Sequence, residues 1–233
     1  MYNPTDDSTA VIPYTKDMVM KYPKPGYPNP LVSVHVFDLS SYLADHESLG
    51  FPAADNTFTL DWDERHDPND SIIQEVAWVG NTTLIVKEVN RNADDGNVIH
   101  FELHHAVQLR EQGKVVRKLG KNGEQGDNGW IDHVCATVSH LTLHDMYLLE
   151  IQEQTIHPVP SALASFVGTN AYLDIVPTPE GFNHIALFNP ADSSEPQFLT
   201  SGDWEVTGGI AGVDAKKGLV WVSPALSFAV YND

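Results

Sequence analysis

Cysteine occurs once in the 233 residues, at Cys135. That excludes an internal disulfide framework and a multi-cysteine zinc site, and it leaves the redox compartment undecided. Basic residues are scarce: 13 Lys and Arg face 32 Asp and Glu, for a net charge of −19. A field of that sign repels phosphate backbones and anionic lipid surfaces, so nucleic acids and membrane surfaces are excluded as partners. No apolar run approaches the roughly 18 to 20 residues that span a bilayer, and the N-terminus lacks the basic-then-apolar order of a signal peptide. As written, the chain reads as soluble and untargeted. Gly-x-Ser-x-Gly is missing, and with it the strained elbow that exposes a catalytic serine; so is the βα alternation of an α/β-hydrolase. Any Ser, His and Asp triad drawn from the scattered residues would be arbitrary.

What is present is a folded, punctuated chain, with 42% hydrophobic residues, 16 glycines and 15 prolines. Long amphipathic helices are lacking, and turn residues separate short apolar stretches, the texture of an all-β protein. In Leu31 to Leu39, Val32, Val34 and Val36 share one face by the two-residue period of a strand. Ile72 to Val79 and Thr83 to Val89 are rich in β-branched residues and flank the short turn Gly80-Asn81-Thr82, so they should pair as antiparallel neighbours. Asp95-Gly96 supplies turn chemistry before Val98 to His105, and Lys114 to Leu119 makes a fourth strand. Four such strands in about 45 residues match one propeller blade. A second set is expected at Tyr172 to Val176, Asn183 to Phe188 and Gln197 to Thr200, across the loop Pro177 to Gly181. Trp204-Glu205-Val206 and Gly218 to Trp221 look like the opening strands of a third. Periodicity alone leaves a β-sandwich open.

Eleven histidines invite a metal reading that their spacing opposes. On a strand, His100 and His104 would lie roughly 13 Å apart with His105 on the other face. His140 and His144 have helical spacing but lack the glutamate that follows the first histidine of a zinc protease. Asp61, Asp63, Asp67 and Asp70 resemble a calcium loop, but Arg65 and His66 stand where that loop needs Asp or Asn and then Gly, so a solvated acidic loop is expected. The glycine-rich run Gly120 to Gly129 is not closed by Gly-Lys-Ser/Thr, and its carboxylates repel phosphate; it reads as a connection between blades. Asn69-Asp70-Ser71 and Asn81-Thr82-Thr83 match the N-glycosylation acceptor, which permits secretion without showing it. No cofactor is expected, and no metal, catalytic or substrate-binding residue is assigned.

Several strings occur in an order that carries more information than any one of them: Tyr22-Pro23-Lys24-Pro25-Gly26 with Asn29-Pro30, Trp78 through Arg91, Gly129-Trp130, Glu180 through Ile185, and Leu199 through Val206. Together they resemble the later-middle part of the N-terminal β-propeller of the dipeptidyl peptidase IV family, in its fungal dipeptidyl aminopeptidase form. The resemblance implies an incomplete propeller, about two full four-stranded blades plus partial ones, spanning residues 1–233. It further implies a parent serine exopeptidase that removes dipeptides with proline or alanine second, together with a C-terminal α/β-hydrolase domain as partner. A peptide substrate would be held only by the whole enzyme, and homodimerisation of that enzyme is left open. The secretory pathway follows as the compartment, whether vacuolar, plasma-membrane type II or secreted. The family's Gly-Trp-Ser-Tyr-Gly-Gly nucleophile motif and Glu-Glu amine clamp do not occur in this sequence. Trp130 and Trp204 are expected to pack, and Ile131-Asp132-His133 do not match the family's pocket residues.

The resemblance fails from Val134 to Gln152 and again from Val222 to Asp233. Val-Cys at the first break is what a GTATGT splice donor encodes, Leu141-Thr142 fits a branch site, and Gln152 can end in the acceptor AG. Two translated introns are therefore expected, against the alternative of a surface insertion between blades. The resulting piece is expected to be inactive and, with blade faces uncovered, prone to aggregate or unfold. The competing reading is a stand-alone propeller-like interaction module.

Overall fold

The computed structural model describes residues 26–49, 56–103, 110–124, 131, 155–206 and 208–222. Its strands are β1 (Val34–Phe37), β2 (Thr57–Trp62), β3 (Ile72–Trp78), β4 (Thr83–Val89), β5 (Asp95–Glu102), β6 (Arg110–Gly120), β7 (His157–Pro158), β8 (Tyr172–Pro177), β9 (Asn183–Phe188), β10 (Gln197–Phe198), β11 (Ile210–Asp214) and β12 (Leu219–Val222). Two helices join them, α1 (Leu39–Leu49) and α2 (Ala164–Val167).

The expected blade is present as the antiparallel ladder β3-β4-β5-β6. The turn Gly80-Asn81-Thr82 is closed by the Val79 N–H donating to the Thr83 carbonyl at 3.0 Å. The second set is present too, as the antiparallel sheet β7-β8-β9-β10. In the loop before β9, the Gly181 N–H donates to the Thr178 carbonyl at 2.9 Å, and Gly181 takes φ 93°, a left-handed conformation that favours glycine.

Four details differ from the sequence reading. Asp95-Gly96 lies inside β5, and the turn precedes it: the Asn90 Oδ1 accepts from the Asp94 and Asp95 N–H groups at 3.0 and 3.2 Å. The strand expected over Leu31 to Leu39 shrinks to β1 because Asp38 caps a helix, its Oδ1 accepting the Ser41 N–H at 2.9 Å. Trp204 to Val206 is not a strand; β11, with β12, forms the third sheet instead. The first sheet also does not stop at four strands, since β2 joins β6 in parallel, Thr59 opposite Arg110 through Trp62 opposite Gly113. Beyond Gly113, β6 pairs with β5. A Cβ at position 113 would meet the Phe101 ring at 2.5 Å, so glycine lets β6 pass this close at the change of partner.

Burial explains why the strands show little polar alternation: both faces of the central ladders are covered. On β4 every residue is buried. Leu84 and Val86 pack with Phe58, Leu60 and Trp62 of β2 and with Ile99 and Phe101 of β5. Ile85, on the opposite face, packs with Val98 and Val116 of its own sheet, with Ile156 just before β7, and with Tyr172, Ala186 and Phe188 of the second. The far face of the second sheet, Leu173, Ile185 and Leu187, packs against Ile210, Val213, Val220 and Val222 of the third. The sheets therefore follow one another face to face along the chain, each sharing a core with the next. Among the described residues no helix is long and apolar enough to cross a membrane.

Candidate functional site

Between the first and second sheets the shared core is interrupted by charge. Alternation along β4 sends Lys87 to the same side as Ile85 and into this interface. Lys87 is nearly buried, and its Nζ donates to Asp174 Oδ1 of β8 at 2.8 Å and to the Thr155 hydroxyl, with Glu75 Oε2 of β3 at 3.8 Å. The Thr155 hydroxyl in turn donates to Glu75 Oε2 at 2.8 Å, and the Ile156 N–H donates to Glu75 Oε1 at 2.9 Å. From β6, Arg117 Nη1 donates to both Glu124 oxygens at 2.9 Å, and Nη2 donates to Asp174 Oδ2. The guanidinium lies 4.0 Å from the Phe188 ring centroid, and Phe188 stacks on Tyr172 at 5.0 Å.

Titration follows from this packing. Burial alone would raise the Asp174 carboxyl, but Lys87 and Arg117 overcome it and hold the group below the usual carboxylate range. For Glu124 burial outweighs the attraction of Arg117, and the carboxyl is raised. Burial pushes the Tyr172 phenol up to about 12. Burial also works against the Arg117 charge, yet Tyr172, Glu124 and Asp174 together hold its proton more tightly than usual. Each carboxylate of the seam is engaged by a cation, so the arrangement is built to join sheets rather than to activate a nucleophile.

On its other face β4 carries Glu88, fully buried. Its Oε2 accepts the Trp62 indole N–H at 2.8 Å, and its Oε1 accepts the Ser71 hydroxyl at 2.6 Å and the His66 N–H at 3.3 Å. Arg65 stands over the Trp62 ring at 4.6 Å and donates to the Val32 carbonyl at 2.6 Å. A third polar centre joins two of the strings that carry the family resemblance. His184 Nε2 faces the Gly202 carbonyl at 3.1 Å, so that nitrogen bears the proton, and Nδ1 accepts the Thr200 hydroxyl at 3.0 Å. The Trp204 ring meets the imidazole edge-on at 4.9 Å.

The residues weighed from sequence fall in separate places. Asp61 accepts the Trp62 N–H at 3.0 Å, Asp63 accepts from Gln112 at 3.3 Å, Asp67 binds Asn69, and Asp70 accepts the Arg91 N–H at 2.9 Å. They are spread over turn contacts of their own. Burial holds the His100 imidazole below its ordinary value, with Glu102 4.0 Å away. Gly120 begins a tight turn in which its N–H donates to the Glu124 carbonyl at 3.0 Å. The Ile131 N–H donates to the Ala93 carbonyl at 2.7 Å. Outside the described residues lie Tyr22 to Pro25, His104, His105, Gly126 to Trp130, Asp132, His133, Cys135, His140, His144 and both breaks apart from Val222, which pairs with Ile210 in the third sheet.

Comparison with known proteins places these sheets in a family. The sequence profile described as "Dipeptidyl peptidase IV (DPP IV) N-terminal region" matches residues 1–224. The chain belongs to this family. It is 31% identical over 202 residues to the probable dipeptidyl-aminopeptidase B of Coccidioides posadasii strain C735, a match covering 87% of this chain and 18% of that relative. The corresponding protein of Phaeosphaeria nodorum is 30% identical over 209 residues, covering 89% and 19%. The chain thus spans about a fifth of the length of the dipeptidyl peptidase IV relatives it matches. The crystal structure of Porphyromonas gingivalis dipeptidyl peptidase 4 shares its fold at 24% identity and a TM-score of 0.50, over 89% of this chain and 22% of that one. The stack of sheets is an incomplete β-propeller.

Proposed function

We propose that this chain is a non-catalytic propeller part of a dipeptidyl peptidase IV-like serine exopeptidase, which releases Xaa-Pro and Xaa-Ala dipeptides from peptide N-termini. The observation that carries this reading is the family match over residues 1–224, made by a chain that covers only 18% of its relative's length. The physical role it supports is that of a wall. Sheets locked face to face by shared cores and by the Lys87–Asp174–Arg117 seam are rigid enough to shape access to a catalytic centre carried by an α/β-hydrolase partner domain. Peptide would be bound by the whole enzyme only, which would travel the secretory pathway as a glycoprotein. We further propose that residues 134–152 and 222–233 are translated intron sequence.

Two measurements test this. Purified chain given a glycyl-prolyl chromogenic substrate should give no turnover; turnover abolished by a serine-directed inhibitor refutes the non-catalytic role. The genomic sequence should carry a Glu-Glu-bearing blade upstream and the serine motif downstream, and its mature transcript should lack the codons between His133 and Glu153. Absence of both motifs within a normal gene length favours a free-standing interaction module instead.

A further inference from the structure

The two glycan-acceptor triplets occupy different local structures, and the difference selects one of them. Asn81 sits in the β3–β4 turn, whose other residues are tied down. A Cβ on Gly80 would come within 2.5 Å of the Asn170 side-chain oxygen. The Thr82 carbonyl accepts the Leu103 N–H at 2.6 Å, and the Thr82 and Thr83 hydroxyls both donate to Glu102, Thr83 at 2.9 Å. Asn81 is the exposed residue of this turn, and among the described residues no hydrogen bond engages its side chain. A side chain held outward by an otherwise anchored turn accepts a large polar adduct without disturbing the ladder beneath it.

Asn69 is exposed as well, but its amide is part of its own turn. Its Nδ2 and its backbone N–H both donate to Asp67 Oδ1, at 3.1 and 2.9 Å. The middle residue of its triplet, Asp70, accepts the Arg91 N–H at 2.9 Å. This turn is closed by contacts within five residues, the Ser71 N–H reaching the Asp67 carbonyl at 2.9 Å, so it can form as soon as it is made.

We propose that Asn81 is the N-glycan attachment site of this chain, an inference that rests on the secretory-pathway reading above. The donor is a lipid-linked oligosaccharide diphosphate. The sugar C1–N bond forms at Asn81 Nδ2, the C1–O bond to the diphosphate breaks, the lipid diphosphate departs, and the amide gives up one proton. The acceptor rule also requires the Thr83 hydroxyl, which the fold buries completely. Transfer therefore precedes closure of the β3–β4–β5 ladder. Once the ladder has formed, unmodified protein is no longer a substrate.

The full chain behind a cleavable secretory leader, expressed in a yeast host, tests this independently of the compartment the native protein occupies. Glycopeptide mass spectrometry should find the Asn81 peptide occupied. Asn81→Gln should abolish the endoglycosidase-sensitive mobility shift, while Asn69→Gln should leave it. Thr83→Ser should retain the shift and Thr83→Ala should lose it. An unmodified Asn81 peptide, or a shift that survives Asn81→Gln, overturns the assignment. Because the leader supplies entry to the pathway, that result leaves the exopeptidase reading standing, which substrate turnover and the transcript decide.

Discussion

The two faces of β4 bury opposite charges and neutralise them by different means. Lys87 enters an interface with ionic partners, two cations against the carboxylates of Glu75, Glu124 and Asp174, drawn from both sheets. Glu88, one residue on, is satisfied mainly by neutral N–H and O–H donors from Trp62 at the end of β2 and from the loop after it, with Arg65 farther off at 3.9 Å. The Lys87–Asp174 contact joins residues 87 apart in sequence, whereas the Glu88 contacts span 9 to 26. One face locks sheet to sheet; the other ties a loop to its own sheet. Buried ion pairs add little net stability over an apolar core but are costly to break on one side, because the remaining charge stays in low dielectric. The seam is therefore where a single substitution does most damage.

The largest effect is expected for Asp174→Ala, which takes from Lys87 and Arg117 the buried carboxylate they share and leaves them only Glu75 and Glu124. A loss of about 3–5 kcal/mol should appear in urea unfolding of the full chain, and a loss below about 1 kcal/mol would show that water already reaches the seam. Glu88→Gln should cost less, about 1–3 kcal/mol. Hydrogen exchange should quicken over residues 62–71 while the β3–β6 ladder stays protected. Uniform quickening of both would erase the distinction between the faces. Thr200→Val removes the hydroxyl that donates to His184 and accepts the Ile185 N–H at 3.1 Å, and should cost about 1–2 kcal/mol, with the indole fluorescence of the Trp204 environment shifting.

The smallest effect is on the pH dependence of stability, where two carboxylates of the same seam have opposite signs. Asp174 is held below its ordinary 3.8, so its stabilisation is complete above 3.8 and is lost as pH falls through the depressed folded value. Glu124 is held above its ordinary 4.5, so its contribution is complete below 4.5 and is lost as pH rises through the raised folded value. Urea midpoints measured across acid pH should lose their acid-side fall in Asp174→Asn and their decline above 4.5 in Glu124→Gln. Identical profiles for the two variants would contradict this assignment.

How much of this was legible in the sequence depended on range. Runs such as Thr83 to Val89 and Asn183 to Phe188 announced strands because β-branched and apolar residues are continuous wherever both faces are covered. The two-residue period of Phe58, Leu60 and Trp62, buried in turn along β2, was equally readable but was overshadowed by the aspartates around it. Asp38, followed three residues later by Ser41, was a helix-start signal inside what looked like one strand. Adjacent Lys87 and Glu88 in an otherwise apolar strand were the visible sign of polar centres on both faces. Their partners were not readable, because no local spacing links position 87 to 174 or 117 to 174; only the fold brings them together.

Three carboxylates serve two cations in the seam, and their order along the chain gives the surplus a use during synthesis. Each cation has one early partner and one late one: Lys87 can reach Glu75 on the strand before it, and Arg117 grips Glu124 only 7 residues on. Asp174 follows Arg117 by 57 residues, which at ribosomal speeds of about 5–20 residues per second is roughly 3 to 11 s. For that interval the first sheet can exist with both cations already paired. Asp174 then arrives as a latch across a surface whose cations already have partners, rather than as the rescue of two bare charges.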